Sequence, residues 1–156
     1  MIRRGFAAIG LHSPKCNANV GAIMRTAHCF GADLVILSGH RYHKQATDTT
    51  KAWRSIPVLH NQPDLWAAAP YGAVPVAVDL VPGAVPLDRF VHPERAYYIF
   101  GPEDGTLGRQ TLDRCRHRVM IPTLHCLNLG MAALAVLYDR AVKRGFPVDV
   151  AEDLAA

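Results

Sequence analysis

The stretch Ile121-Pro-Thr-Leu-His-Cys126-Leu-Asn128-Leu-Gly130-Met-Ala-Ala-Leu-Ala-Val-Leu-Tyr138-Asp139 carries the chain from the end of one strand into its longest helix. Residues 118–121, apolar after Arg118, predict a strand, and the 3.6-residue periodicity over 127–144 predicts a long helix. Asn128 stands at the helix entrance, where its amide can orient backbone or a ligand. Gly130, Ala132 and Ala133 allow another backbone to come close, within the chain or across a helix-to-helix seam between two copies. Cys126 with His125 beside it invites a nucleophile–base reading, but neighbours in sequence are poorly placed to form such a pair.

Upstream of this stretch, short β-type runs alternate with helical ones. Strands are predicted at 7–11, 34–37, 56–60, 74–80 and 96–100. Helices are predicted at 20–30, 63–69 and 107–115, with a short one at 48–53 capped by Asp48; 38–47 and 81–93 read as loops. Nearly continuous apolar strands separated by helices imply an α/β fold, a mostly parallel sheet with helices on both faces.

In such sheets ligands gather beyond the carboxyl ends of the strands, and two further loops there hold unusual residues. One runs through Asn19-Val-Gly21-Ala-Ile-Met-Arg25-Thr-Ala27, with Asn19 read as a helix N-cap and Gly21 as a point of close backbone approach. Arg25 is a lone charge on a helix of small and apolar residues, either ligand-facing or in a surface salt bridge. The other is Phe100-Gly101-Pro-Glu103-Asp104-Gly105-Thr-Leu107, a tight turn after an apolar strand. No Gly-x-Gly-x-x-Gly or Gly-Lys-Ser/Thr loop is present, which disfavours a dinucleotide enzyme or a P-loop nucleotidase.

Composition bounds the rest. Of 156 residues, 50% are apolar and 19% charged, with a net charge of +4, so one domain spanning 1–156 is expected, its tail loosely packed from about 146. That leaves no length for a separate substrate-recognition domain. No apolar run approaches the roughly 18 residues of a membrane span, and Met1-Ile-Arg-Arg-Gly-Phe does not read as a secretory signal, so a cytoplasmic protein is expected. Cys16, Cys29, Cys115 and Cys126 are scattered; a disulfide framework is disfavoured, and buried cysteines with surface histidines are expected. His40 with His43, Cys115 with His117, and His125 with Cys126 form no recognised metal pattern. Basic residues collect at Arg41, His43, Lys44, Lys51 and Arg54, interleaved with Tyr42 and Trp53. A second group runs from Arg109 to Arg118. The first is either a solvated loop or a surface that tracks a phosphate backbone and stacks on a base.

The three loops, in this order and spacing, resemble the motifs of the SpoU/TrmH-type SPOUT methyltransferases. The first motif is matched by Asn19 to Ala27 with Phe30-Gly31-Ala32, and the second by Phe100-Gly-Pro-Glu103 with Gly105 and Leu107. The third is matched by Ile121-Pro122, Cys126-Leu-Asn128 and the helix ending Leu137-Tyr138-Asp139. The resemblance covers roughly 5–145. It implies S-adenosylmethionine as methyl donor, an RNA ribose 2′-hydroxyl as acceptor, a homodimer, a C-terminal trefoil knot and no metal. By the same match, Val78, Gly101, Ile121, Cys126 and Leu127 are cofactor-binding, with Cys126 where the family usually has serine. The catalytic group is Arg25, Asn19, Glu103 and Asn128, with Asn19 and Glu103 positioning Arg25. A core without RNA-binding extensions resembles enzymes acting on tRNA, with ribosomal RNA the alternative, and Arg41, Lys44, Lys51 and Arg54 become RNA contacts. Two rivals are a catalytically inactive knotted RNA-binding protein and a metal-dependent hydrolase built on Glu103 and Asp104.

Overall fold

The computed structural model describes residues 5–148. Seven strands form one sheet: β1 (Phe6–His12), β2 (Leu34–Ser38), β3 (Val58–Gln62), β4 (Val74–Val78), β5 (Val85–Pro86), β6 (Arg95–Phe100) and β7 (His117–Met120). Their order is β3-β2-β1-β6-β4-β7-β5, and every pairing is parallel. Three α-helices, α1 (Asn17–Cys29), α2 (Arg109–Arg114) and α3 (Leu129–Arg144), and short 3-10 turns at Ala52–Arg54 and Leu87–Arg89 complete it. No helix among the described residues is long and apolar enough to cross a membrane.

The central strands are buried on both faces, which is why they read as unbroken apolar runs. On one face Val20, Ile23, Met24 and Ala27 of α1 and Ala133, Val136 and Leu137 of α3 pack over Ile9, Leu11, Val35, Tyr98 and Phe100. On the other, Leu65, Leu107 and the half-buried Trp66 and Leu112 cover Ala8, Ile36, Ala77 and Ile99. Gly10 serves this second face: a Cβ there would stand 2.7 Å from the Tyr97 hydroxyl, which crosses β1 to donate to Leu65 O at 2.9 Å.

The lower end of the sheet is fastened by a polar network. Arg140, 7% exposed, donates to Pro93 O (2.7 Å), Glu94 O (2.9 Å) and Phe6 O (3.2 Å), tying α3 to the starts of β1 and β6. Beside it His92, buried rather than on the surface as expected, gives its Nε2 proton to Asp139 at 2.8 Å and accepts from the Tyr98 hydroxyl at 2.6 Å. Burial holds His92 below its ordinary pKa despite the adjacent Asp139 carboxylate, and it raises Tyr98 to about 12.

Three expectations are corrected. Residues 63–69 are turns, because the Asp64 carboxylate takes the amides of Trp66 (2.7 Å) and Ala67 (2.8 Å) in a local cap that no helix continues. The stretch at 81–93, read as loop throughout, contains β5, a proline-bearing edge strand only two residues long. The short helix at 48–53 shrinks to a 3-10 turn at Ala52–Arg54 whose cap position is Lys51 rather than Asp48, although the Asp48 carboxylate still accepts from Ala52 N at 2.9 Å. The loose tail from about 146 lies mostly outside the described residues; within them Phe146 meets Tyr138 edge-on, ring centroids 6.0 Å apart.

Candidate functional site

The three loops singled out from sequence converge beyond the carboxyl ends of β4, β6 and β7. Together they enclose a cavity of about 610 Å³. Val78 and Asp79 follow from β4, Phe100 to Thr106 from β6, and Ile121 to Asn128 from β7. All five residues expected at the cofactor, Val78, Gly101, Ile121, Cys126 and Leu127, line this cavity. So do Asn19, Glu103 and Asn128.

Those three side chains form a directional relay. Asn19 Nδ2 donates to Glu103 Oε1 at 3.0 Å, Asn128 Nδ2 donates to Asn19 Oδ1 at 2.9 Å, and Asn128 Oδ1 accepts from Gly130 N at 2.8 Å. A backbone N–H can only donate and an ionised carboxylate can only accept, so the two ends fix the orientation of both amides. Glu103 also accepts from Lys15 N (2.9 Å) and Cys16 N (3.0 Å). Its carboxylate thereby anchors the two residues before α1 and the helix's first turn from 84 or more residues away in sequence. Burial on its own would raise the Glu103 pKa; hydrogen bonds from Lys15 N, the Asn19 amide, its own N–H and Cys16 N outweigh it and hold the carboxyl below its ordinary value.

This geometry changes two sequence readings. Asn19 is not the N-cap of α1: the cap position is Cys16, without a side-chain hydrogen bond, and Asn19 lies inside the first turn. Nor do Asn19 and Glu103 bond Arg25 within the chain: the Asn19 side chain meets Glu103 and Asn128, and Glu103 meets Asn19 and the 15–16 backbone. Arg25 lies six residue steps along the helix from Asn19, a rotation of roughly 600° that leaves their side chains about 120° apart. Arg25 is exposed, does not line the cavity, and has no ion pair or hydrogen bond among the described residues.

Several residues at the site were not predicted. Lys15 pairs its ammonium with Asp104, closing the β1–α1 loop onto the β6–α2 loop. Asp79 accepts from Leu107 N at 2.9 Å and holds that loop to the end of β4. Its place directly after Val78, at a strand's carboxyl end, was the available signal. Asp79 and Glu103 are the charged side chains on the cavity lining, so its polar wall is acidic, while Val78, Phe100, Ile121, Leu127 and Ala132 make the rest apolar. The carboxylates of Glu103 and Asp104 are each tied down separately, which leaves no converging pair for the hydrolase reading.

The cysteine expectation is also corrected: Cys16, Cys29 and Cys126 are exposed, and only Cys115 is half-buried. Burial pushes the Cys115 thiol up to about 11, so it is protonated at neutral pH. The four cations expected at RNA do not behave as one group. Lys44 and Arg54 line a second cavity beside β3, whereas Arg41 and Lys51 do not.

The sequence profile of the SpoU rRNA Methylase family matches residues 7–138. No curated protein matches the chain significantly in sequence. Solved structures do resemble it. The SpoU methyltransferase AviRb from Streptomyces viridochromogenes, in complex with the cofactor AdoMet, superposes with a TM-score of 0.76 at 25% identity, over 92% of this chain and 62% of that one. The A. aeolicus TrmH/SpoU tRNA modifying enzyme gives a TM-score of 0.78 at 18% identity, over 92% of this chain and 77% of the other. A structure described as "Structural insights into the 2-OH methylation of C/U34 on tRNA" gives 0.75 at 22% identity, over 90% of this chain and 97% of that one. The chain thus spans about three fifths of the AviRb chain and nearly all of the last. With a profile covering most of its length and the expected sheet in place, this chain belongs to the SpoU rRNA Methylase family.

Proposed function

We propose that the chain, a single domain, is an S-adenosylmethionine-dependent methyltransferase that acts on RNA ribose 2′-hydroxyls, with tRNA as substrate. The observation that carries this reading is the acidic, apolar-floored cavity at the carboxyl ends of β4, β6 and β7, walled by the Glu103–Asn19–Asn128 relay. Its volume and lining suit a nucleoside carrying a cationic side chain: apolar residues for the adenine, Asp79 and Glu103 for positive charge. Val78, Gly101, Ile121, Cys126 and Leu127 would hold the cofactor. When bound, it supplies a methyl group made electrophilic by the positive sulfur.

The chain's own residues must then place a weak nucleophile in line and manage its proton. The relay fixes the orientation of both amides in the wall of the cavity. Arg25, pointing away from its own cavity, is assigned to the acceptor phosphate and hydroxyl at a second copy's cavity. Its guanidinium, with a pKa above about 12, serves there by charge and orientation. A homodimer supplies that second copy. In support, α3 buries Ala133, Val136, Leu137 and Arg140 inside the chain, while Met131 (57% exposed), Tyr138 (54%) and Val142 (56%) form an apolar stripe on its outer side. The knotted threading expected of the family belongs to the same proposal, as does a cytoplasmic location, where tRNA is found.

The test is methyl transfer from methyl-tritiated S-adenosylmethionine to bulk tRNA and to ribosomal RNA, followed by digestion to nucleosides. Label in 2′-O-methylnucleosides of tRNA is expected. Label confined to ribosomal RNA would replace the substrate, and no label in either would overturn the activity.

A further inference from the structure

A second cavity, of about 500 Å³, lies beside β3, at the free edge of the sheet, and differs in character from the first. Tyr42, Lys44, Trp53, Arg54, Val58 and His60 are among its lining residues. Lys44 Nζ sits 4.1 Å from the Trp53 ring centroid and Arg54 Cζ 5.2 Å from it. Neither cation has a carboxylate partner among the described residues. The acid of this segment, Asp48, is 4% exposed and is taken up by Ala52 N and Thr50 Oγ1. Tyr42 N donates to His60 Nδ1 at 2.9 Å, which leaves the proton of a neutral His60 on Nε2 and adds a fixed donor to the wall.

We infer that this cavity is a nucleotide subsite, which seats the base and phosphate of an RNA residue other than the one being methylated. The inference rests on the RNA methyltransferase reading and adds where the substrate is gripped. Two cations held over one indole, without a counter-charge, fit a ligand that brings both an anion and a flat ring. A phosphate draws the ammonium and guanidinium into charge-assisted hydrogen bonds, stronger than their contacts with the ring. The indole face they vacate then receives a base, whatever its identity.

A polymer suits the site better than a free nucleotide because the two cavities are joined rigidly. Thr47 Oγ1 donates to Ala18 O at 2.9 Å, and His40 Nε2 bonds Asn17 Oδ1 at 2.7 Å. The loop that carries Tyr42 and Lys44 is thereby fixed to the first turns of α1, which also carry Asn19 of the acidic cavity. Edge strand β3 lies three strands from β6, roughly 14 Å at the usual spacing of parallel strands. The acidic cavity suits a cationic cofactor and the basic one an anionic chain. Arg41 and Lys51 lie outside the basic cavity and are left with a diffuse electrostatic role.

The test uses the full-length chain, bulk tRNA in filter binding at fixed salt, and S-adenosylhomocysteine in calorimetry. Lys44→Ala with Arg54→Ala should weaken tRNA binding about tenfold and lower the slope of log affinity against log salt by about 1–2. Arg41→Ala with Lys51→Ala should weaken it far less, and S-adenosylhomocysteine affinity should hold in both, which also reports that both variants are folded. RNA carrying 5-bromouridine should photocrosslink to Trp53 or Tyr42. Equal losses in the two double variants, or crosslinks confined to other segments, would overturn the subsite. If the cofactor analogue binds while crosslinks map elsewhere, the subsite fails and the methyltransferase reading stands. If crosslinks fall on Trp53 but no analogue binds, the methyltransferase reading fails and the subsite stands as an RNA-binding cavity.

Discussion

Asn128→Asp separates the structural duty of the third loop from its duty at the site. At wild type Asn128 does two things: Oδ1 caps α3 through Gly130 N at 2.8 Å, and Nδ2 donates to Asn19 Oδ1 at 2.9 Å. Aspartate caps a helix about as well as asparagine, so the first bond survives. The second becomes two acceptors face to face. Turning the Asn19 amide over does not help, because its oxygen then meets Glu103 Oε1, 3.0 Å from the present nitrogen. One opposed acceptor pair remains in either state. A lost hydrogen bond of about 0.5–1.5 kcal/mol, in a group that water reaches, puts the loss of the assembled wall near 1 kcal/mol before repulsion is added. Repulsion from Glu103 brings it to about 1–2 kcal/mol, a factor of roughly 5–30. Methyl-transfer kcat/KM should fall by that factor, while the urea midpoint stays near wild type. Asn128→Ser, which caps without the amide donor, should lose activity to the smaller extent and keep its midpoint. Asn128→Ala should lose about 1 kcal/mol of stability as well. Wild-type activity in Asn128→Asp, or equal destabilisation of the aspartate and alanine variants, would refute the relay.

Gly21→Ala should reverse the usual gain from replacing a helical glycine: the added Cβ would stand 2.2 Å from Thr47 Oγ1 and 2.5 Å from Gln45 Cβ. Overpacking of about 1–3 kcal/mol exceeds the roughly 0.5–1 kcal/mol of helix propensity, so Tm should drop by a few degrees; a rise would contradict this packing. Glu103 has a depressed carboxyl, so its contacts are fully present above its unfolded pKa of about 4.3 and are lost as pH falls through the lower folded value. The amide resonances of Lys15 and Cys16 should therefore titrate together below about pH 4.3, and Glu103→Gln should abolish that titration. Arg25→Ala should eliminate methyl transfer with S-adenosylhomocysteine affinity nearly unchanged, since Arg25 does not line its own cavity; retained activity would remove it from the mechanism. Met131→Glu places a charge in the exposed stripe of α3 and should shift the chain to monomer in sedimentation; an unchanged state would move the interface elsewhere.

The sheet and its major helices were legible because each rests on a local signal. Leu34 to Leu37, Tyr97 to Phe100 and the α3 periodicity declare themselves within a few residues. The five expected cofactor residues fell around one cavity because strand ends are legible and the family resemblance assigned the loops beyond them. What stayed hidden depends on partners far away in sequence. The start of α1 is anchored by a carboxylate from the β6–α2 loop, which bonds Lys15 N, Cys16 N and the Asn19 amide, a link that no local pattern around Asn19 reveals. His92 counted among the expected surface histidines, and nothing local marked Arg140 as buried, because the starts of β1 and β6 that close over them are distant in sequence. The helix expected at 63–69 does not form because the short Asp64 side chain satisfies two amides first. The grouping of Lys44 with Arg54, apart from Arg41 and Lys51, required knowing how the 39–51 loop folds back on α1.

The central claim is that the cavity closed by these three loops binds the methyl donor. Calorimetric titration of the intact chain with S-adenosylhomocysteine tests it most directly. Saturable binding of one molecule per chain, weakened by Asn128→Asp and unaffected by Lys44→Ala with Arg54→Ala, is the predicted result. No binding at millimolar ligand by the folded wild-type chain would contradict it.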